Sequence, residues 1–404
     1  MTGFVTTALL VSGSVVAGFS LYLLVLAGSA FFYSPSRATV EARARLVVLI
    51  PAHDEALTIA GSVGSLCAQS YPRALYEIVV VADNCSDETA EIAKTAGADA
   101  VLQRRTGGAV GKGRALRWAI DSVLAGDEPP DALVIVDADA AVERDALARL
   151  AEAFEGGAHA AQGDNVLVPD ASASAALRAT AFLLINRVRP AGRAALGLSA
   201  FLVGNGMLLS SQLLRSVPWE AFTSTEDLEY SLDLQTAGHK IAYVGGARVR
   251  TPTAPNSGAA AQQQLRWEGG RNYLMRTRGP RLLWHGLTTL RPGLIWAAFD
   301  LLTPPLGALA GIALTGLALS FAAVAAGICA TWTLAPWLLA TIAIPCYVLV
   351  GLRAAGAPGS AYRALIRAPG LVLSKASNAG NVLRFRADSW VRTERAADEA
   401  GEEL

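Results

Sequence analysis

Hydrophobic positions along this chain fall into three patterns, and each predicts a different kind of structure. From Met1 to Ser36 no residue is charged, and Phe4–Tyr33 is almost wholly apolar. A bilayer core takes about 20 helical residues to cross, so the run predicts a spanning helix. A cleaved signal peptide is the alternative, with Ala27-Gly28-Ser29-Ala30 loosely resembling a cleavage site. No basic segment precedes the run, however, and it is too long for a signal-peptide core. A retained anchor is expected. A second uncharged block runs from Leu301 to Leu352. It is long enough for two spans, the first beginning near Thr303-Pro304-Pro305 and the two connected near Thr331–Pro336.

Between Arg37 and about Trp267 the pattern changes to short apolar runs alternating with helical periodicity. Leu46–Ile50, Glu77–Ala82 and Ala132–Val136 read as buried strands. Ala56–Gln69, Asp87–Ala96 and Gly113–Leu124 read as helices. Such alternation predicts an α/β unit with a mostly parallel sheet covered on both faces. Ligands of such sheets bind beyond the carboxyl ends of the strands. The informative residues are therefore those that follow each strand.

Composition narrows the function classes. Apolar residues make up 52% of the 404 and charged residues 17%, too greasy for a soluble enzyme of this size. The 34 basic and 34 acidic side chains cancel, so no global field recruits nucleic acid. The four cysteines, Cys67, Cys85, Cys329 and Cys346, form no CxxC pair and no disulfide framework. That spacing suits a reducing compartment without structural zinc. Arg37, Arg43 and Arg45 follow the first apolar run, and Arg353, Arg363, Arg367, Lys375, Arg384 and Arg386 follow the last. Basic residues stay on the cytoplasmic side, which predicts a multi-pass protein of the cell membrane with the middle region and the tail inside the cell.

The strand ends are unusually polar. Pro51-Ala52-His53-Asp54-Glu55 follows the first strand, Asp83-Asn84-Cys85-Ser86-Asp87 the second and Asp137-Ala138-Asp139 the third. A lone acid at such a place is usually a helix cap, which is one reading of Asp87 and of Asp83. Two carboxylates two residues apart at a strand end can instead share one hard divalent ion, leaving positions open for phosphate oxygens. Gly111-Lys112-Gly113 opens a helix whose backbone amides and Lys112 can approach nucleotide oxygens. It lacks the spacing of a Walker loop and also reads as an ordinary loop with a surface lysine. Thr225-Glu226-Asp227 begins a helical pattern with Thr225 at the cap, where both acids also complement the helix dipole. Gly204-Asn205-Gly206 lies between apolar runs and reads equally as a tight turn.

Taken in order, these segments resemble the membrane-bound inverting glycosyltransferases of family 2, the group holding cellulose, chitin and hyaluronan synthases. The resemblance rests on Pro51–Glu55, Asp83–Thr89, Gly111–Leu116, Asp137-x-Asp139, Thr225-Glu226-Asp227 and Gln263-Gln264-Leu265-Arg266-Trp267, the last a Q-x-x-R-W signature, and covers roughly residues 45–275. It departs from the family at Asp54, where Asn is common, and at Cys85. It implies a GT-A, Rossmann-like domain inserted between transmembrane helices. The expected layout is an anchor over 1–36, a catalytic domain over 37–267, an amphipathic interfacial segment over 268–300, two spans over 301–353 and an amphipathic helix and tail over 354–404.

The resemblance also implies roles. Asp83 would face the uracil of a UDP-sugar, and Ala52, Glu55, Lys112, Asp137, Gln263, Arg266 and Trp267 would complete the donor site. Asp137 and Asp139 would hold Mg2+ or Mn2+, which acts as a Lewis acid on the departing diphosphate. Inversion needs one base to take the acceptor's proton, with Asp227 the candidate and Glu226 the second choice. Gly204, Asn205 and Trp267 would line the acceptor, although Trp267 also reads as an interfacial anchor together with Tyr273 and Trp284. The expected activity is transfer of a hexosyl or N-acetylhexosaminyl group to a lipid-linked or glycan acceptor at the cytoplasmic membrane face. The partners are then the donor, the acceptor and membrane lipid. A processive synthase that secretes its own polymer is the competing enzyme. Three spans barely enclose the polar lining a sugar chain needs, unless subunits pair as a homo-oligomer. A non-catalytic scaffold is the third reading, and the presence of every acidic and basic motif element counts against it.

Overall fold

A computed structural model describes residues 2–35, 42–108, 110–169, 173–253, 257–367 and 370. The tail helix expected at Lys375–Arg395 lies outside the described residues, as does Arg37. The region between the first apolar helix and the helix Ser257–Thr277 is built on an eight-stranded sheet. Its strands are β1 (Leu46–Ala52), β2 (Tyr76–Asp83), β3 (Ala100–Arg104), β4 (Ala132–Ile135), β5 (Ala141–Val142), β6 (Ala160–Val168), β7 (Met207–Ser210) and β8 (Ile241–Pro252). Their order is β3-β2-β1-β4-β7-β6-β8-β5. The β1–β2, β2–β3, β1–β4 and β6–β8 pairs are parallel. β7 runs antiparallel to both of its neighbours, and β5 is antiparallel to β8.

The three strands expected from the sequence are all present, each within two residues of its expected ends. β1 and β4 are apolar along their whole length because both faces are covered. One face packs Ile59, Val63, Leu66, Leu147 and Leu150 against the sheet. The other packs Leu116, Ile120, Leu213, Trp219 and Tyr230. The antiparallel β7 and the strands β6 and β8 carried no comparable signal, since their apolar runs are short or broken by Gly163, Gly245 and Gly246.

Among the described residues, three helices are long and apolar enough to cross a membrane: Thr2–Phe32, Leu306–Ala325 and Thr331–Ala354. The second starts just after Pro304-Pro305, as the sequence indicated. These helices pack through small residues. Trp337 donates its indole N–H to the Leu9 carbonyl at 3.0 Å. A Cβ at Gly316 would collide with its ring, and one at Gly13 would lie 2.8 Å from its Nε1. Glycines that let a large ring approach a neighbouring backbone are a common way for helices to associate within lipid.

Between the sheet and the last two apolar helices, the chain forms the helices Ser257–Thr277, Gly279–Thr288 and Pro292–Leu302. The division drawn from the sequence at 267/268 falls inside the first of these. Leu274, Leu282, Leu294, Ala298 and Leu301 form their shared core with Leu232. Exposed Tyr273, Trp284, Leu287 and Leu290 decorate their outer surface.

Candidate active site

The carboxyl ends of β1, β2 and β4 open into one cavity of about 1700 Å3. Small-molecule sites usually occupy ~300–1,000 Å3, so there is room for more than one ligand. Ala52 and Glu55 beyond β1, Asp83 ending β2, and Asp137 and Asp139 beyond β4 all line it. So do Lys112, Gly204, Glu226, Asp227, Gln263, Arg266 and Trp267. Residues separated by more than 200 positions thus meet at one place. Asn205 is fully buried and is not part of the lining. Its Oδ1 accepts from the Asp137 N–H at 3.2 Å, and its Nδ2 donates to Thr251 Oγ1 at 3.1 Å. It fixes the strand end that carries Asp137.

Asp83 is buried, and its Oδ1 accepts from Arg104 at 2.6 Å and from the Asn84 side chain at 2.8 Å. Its backbone carbonyl lies 2.7 Å from His53 Nδ1, which ties the β1 and β2 loops together. Asp54 and Asn84 both take positive φ, at 53° and 52°, conformations that Asp and Asn tolerate better than most residues. Asp54 accepts from the Ser86 N–H at 2.7 Å, and Asp87 accepts from the Ala56 and Thr89 amides. Asp54, Cys85 and Asp87 form the one group of three metal-capable side chains that converges among the described residues. These hydrogen bonds account for Asp54 and Asp87 as staples between the two loops.

Lys112 begins the helix Lys112–Leu124 and turns into the acidic centre. Its Nζ donates to Asp137 Oδ1 at 2.5 Å and to the Gly204 carbonyl at 2.7 Å, and it lies 3.6 Å from Glu226 Oε1. Burial alone would lower its pKa, but Asp137 and Glu226 hold it above the usual lysine range. The lysine is therefore a fixed ammonium ion among three carboxylates, not a surface residue. Its helix can come this close because residue 113 is glycine; a Cβ there would strike the Ala221 carbonyl.

Thr225 precedes the helix Glu226–Thr236, where the sequence put a cap, but its hydroxyl makes no capping bond. Glu226 is buried, and burial pushes its carboxyl above the ordinary range. Asp227 is pushed up to about 7, first by burial and then by the neighbouring Glu226 charge. A carboxyl poised near neutrality is what a general base requires. Its Oδ1 accepts from the Leu228 N–H at 2.7 Å. Its Oδ2 faces Gly204, where a Cβ would lie only 3.1 Å away. Gly204 adopts φ 79° and leaves the carboxylate open to the cavity.

Gln263, Arg266 and Trp267 sit at i, i+3 and i+4 on the helix Ser257–Thr277 and so share one face. Trp267 is 39% exposed, with its ring 6.2 Å from that of Phe182. Three residues further on, Gly270 brings this helix against the Thr225 loop: a Cβ there would lie 2.7 Å from Thr225 Cγ2 and 2.8 Å from Ser224 Oγ. Sequence reasoning missed that contact, although the Gly269-Gly270 pair after the signature was a visible clue.

Residues 44–270 match the family described as "Glycosyltransferase like family 2". Among curated proteins, the beta-monoglucosyldiacylglycerol synthase of Trichormus variabilis is 27% identical over 292 residues, covering 66% of this chain. The synthase of the same name from Nostoc sp. matches at the same identity and coverage. The matched region spans 61% of the length of each of these relatives. Among solved structures, a mannosyltransferase of Pyrobaculum calidifontis, in complex with GDP-Man and Mn2+, superposes with a TM-score of 0.52 at 18% identity. It covers 87% of this chain and 98% of its own. The mixed, mostly parallel sheet flanked by apolar helices is accordingly the GT-A glycosyltransferase fold.

Proposed function

Because the chain belongs to glycosyltransferase family 2, we propose that it is an inverting enzyme that moves a sugar from a UDP-sugar to a lipid acceptor at the cytoplasmic membrane face. The observation that carries this reading is the single cavity that joins Asp83, Asp137, Asp139, Asp227 and Arg266 to residues of the two C-terminal apolar helices. The beta-monoglucosyldiacylglycerol synthase relatives support a lipid acceptor, and the structural neighbour's complex, which holds GDP-Man, supports a nucleotide-sugar donor without choosing its base.

In this reading Asp83 accepts from the base of the nucleotide, and Arg266 offers a planar fork to the diphosphate. Asp137 and Asp139 would hold Mg2+ or Mn2+, which supplies positive charge to the leaving diphosphate. Both carboxylates line the cavity two residues apart and offer the hard oxygen donors a divalent ion takes, and the ion would compete with the Lys112 ammonium for Asp137. Lys112 also keeps Asp137, Glu226 and Asp227 from repelling one another. Asp227 takes the proton of the acceptor hydroxyl as that oxygen bonds to the anomeric carbon. The bond from that carbon to the diphosphate breaks on the opposite face, and the diphosphate leaves with the electron pair.

Incubating membranes that contain the protein with a panel of UDP-sugars, then measuring released UDP and sugar recovered in the lipid fraction, tests the proposal. Turnover with one donor and labelled lipid is the expected result. Labelled polymer without labelled lipid would favour the processive alternative, and no release from any donor would sink both.

A further inference from the structure

The cavity extends from the sheet end, where the acids and Arg266 stand, to a second end among the apolar helices. That end is lined by Leu306, Ala310 and Leu314 of one apolar helix and by Ile344, Val348 and Leu349 of the other. Leu314 and Leu349 are about half exposed, so the slot opens sideways towards surrounding lipid. At its inner shoulder stand Arg189, Arg193, Arg271 and Asp300. Arg189 and Arg193 follow a single π-helical turn, Leu184–Val188, a distortion often found at functional sites.

The charges at this shoulder do not balance. Arg189 is 8% exposed, Arg193 2% and Asp300 5%. Arg271 is occupied by the backbone carbonyls of Asp300, Leu301 and Thr303. Arg193 donates to the Ser199 carbonyl at 2.6 Å and the Tyr22 hydroxyl at 2.8 Å, and lies 3.7 Å from Asp300. Its second terminal nitrogen is buried without a hydrogen-bond partner. Arg189 bonds Tyr347 through Nε at 3.3 Å, and its two terminal nitrogens have no hydrogen-bond partner among the described residues. Three guanidinium groups thus face one carboxylate. Uncompensated buried charge is strongly unfavourable, so the arrangement calls for an anion. Guanidinium forks suit phosphate in particular.

We propose that the membrane end of the cavity holds a lipid whose headgroup carries a phosphate, with the phosphate on Arg189 and Arg193 and the chain between the helices Leu306–Ala325 and Ala335–Ala354. The proposal rests on the glycosyltransferase reading and names its acceptor: an anionic lipid with a hydroxyl beyond the phosphate, reaching towards Asp227. A neutral diacylglycerol would fill the apolar slot and leave the arginines uncompensated.

The test uses the full chain purified in a non-ionic detergent, with dodecyl phosphate, dodecanol and inorganic phosphate as calorimetric probes. Dodecyl phosphate should bind about tenfold or more tighter than either of the others, because it alone satisfies both the slot and the arginines. Arg189→Gln should remove most of that preference, and Arg189→Lys should keep part of it, with UDP affinity showing that the fold survives. Equal binding of dodecanol would reduce the site to an apolar groove, and equal binding of inorganic phosphate would make it a free-anion site. Either result overturns the proposal, as does an unchanged preference in Arg189→Gln. UDP release from each donor is measured on the same preparation. An intact lipid-phosphate preference without any UDP release would sink the transferase reading alone; normal release without the preference would sink this site alone.

Discussion

Replacing Asp227 with Asn should separate catalysis from stability, moving the two in opposite directions. The Asp227 carboxyl is raised from 3.8 to about 7 by burial and by Glu226. A folded-state pKa above the unfolded one favours the protonated form in the fold. Its contribution to stability is therefore fully present below about pH 3.8 and is lost as pH rises towards 7. Three pH units at ~1.4 kcal/mol each set an upper bound of about 4 kcal/mol. The cavity admits water and Lys112 stands alongside, so an effect of about 1–2 kcal/mol is expected above pH 7. Asn keeps the size and can still accept from the Leu228 amide, but it carries no charge to bury. Asp227→Asn should therefore melt about 1–2 °C higher than the parent near pH 8, with the gap closing near pH 4.5. Turnover should meanwhile fall by roughly 10²–10⁴, the usual worth of a general base. The parent's kcat/KM should rise with pH around 7, and the variant should lose that limb. Thermal melts at the two pH values and a kcat/KM profile check both halves. Near-normal turnover would send the search to Glu226, and a lower melting temperature near pH 8 would refute the burial argument.

Four further outcomes follow from the same geometry. Asp83→Asn weakens the acceptor of the Arg104 pair and should lower UDP affinity about 10–100-fold before it touches the chemical step, as UDP titration would show. Asp139→Asn should abolish turnover, and EDTA should inhibit reversibly on adding back Mg2+ or Mn2+; full activity in EDTA would remove the metal from the site. Gly270→Ala puts a methyl against Thr225 and Ser224 and should cost about tenfold in kcat by shifting the Arg266 helix, with UDP affinity also weakened in the same titrations because Arg266 moves with it. A tag after Leu404 and an insertion at the exposed Gly97 turn should both be reached from the cytoplasm; labelling of either from outside the cell would overturn the three-span orientation.

The parts of this protein that were legible in its sequence are those governed by local chemistry. Uncharged runs of sufficient length mark helices that lipid can surround, because a charge there is expensive wherever the chain folds. The strands β1, β2 and β4 were readable because strands covered on both faces are apolar along nearly their whole length, with Glu77 the exposed exception near the start of β2. The acids and amides at their ends were readable because ligands of such sheets bind there. Tertiary structure decided the rest, where meaning depends on what lies opposite. Lys112 reads from the sequence as a donor-binding residue or a surface lysine, and only the approach of its helix to Ala221 at Gly113 shows its ammonium between Asp137 and Glu226. Asn205 reads as a ligand-facing residue until its side chain is seen to brace Asp137 from within. Arg189, Arg193 and Asp300 carry no motif at all. Their charge imbalance arises only when the π-helical turn, the N-terminal helix and the helix ending at Leu302 meet, since electrostatic energy depends on distance and burial rather than on spacing along the chain.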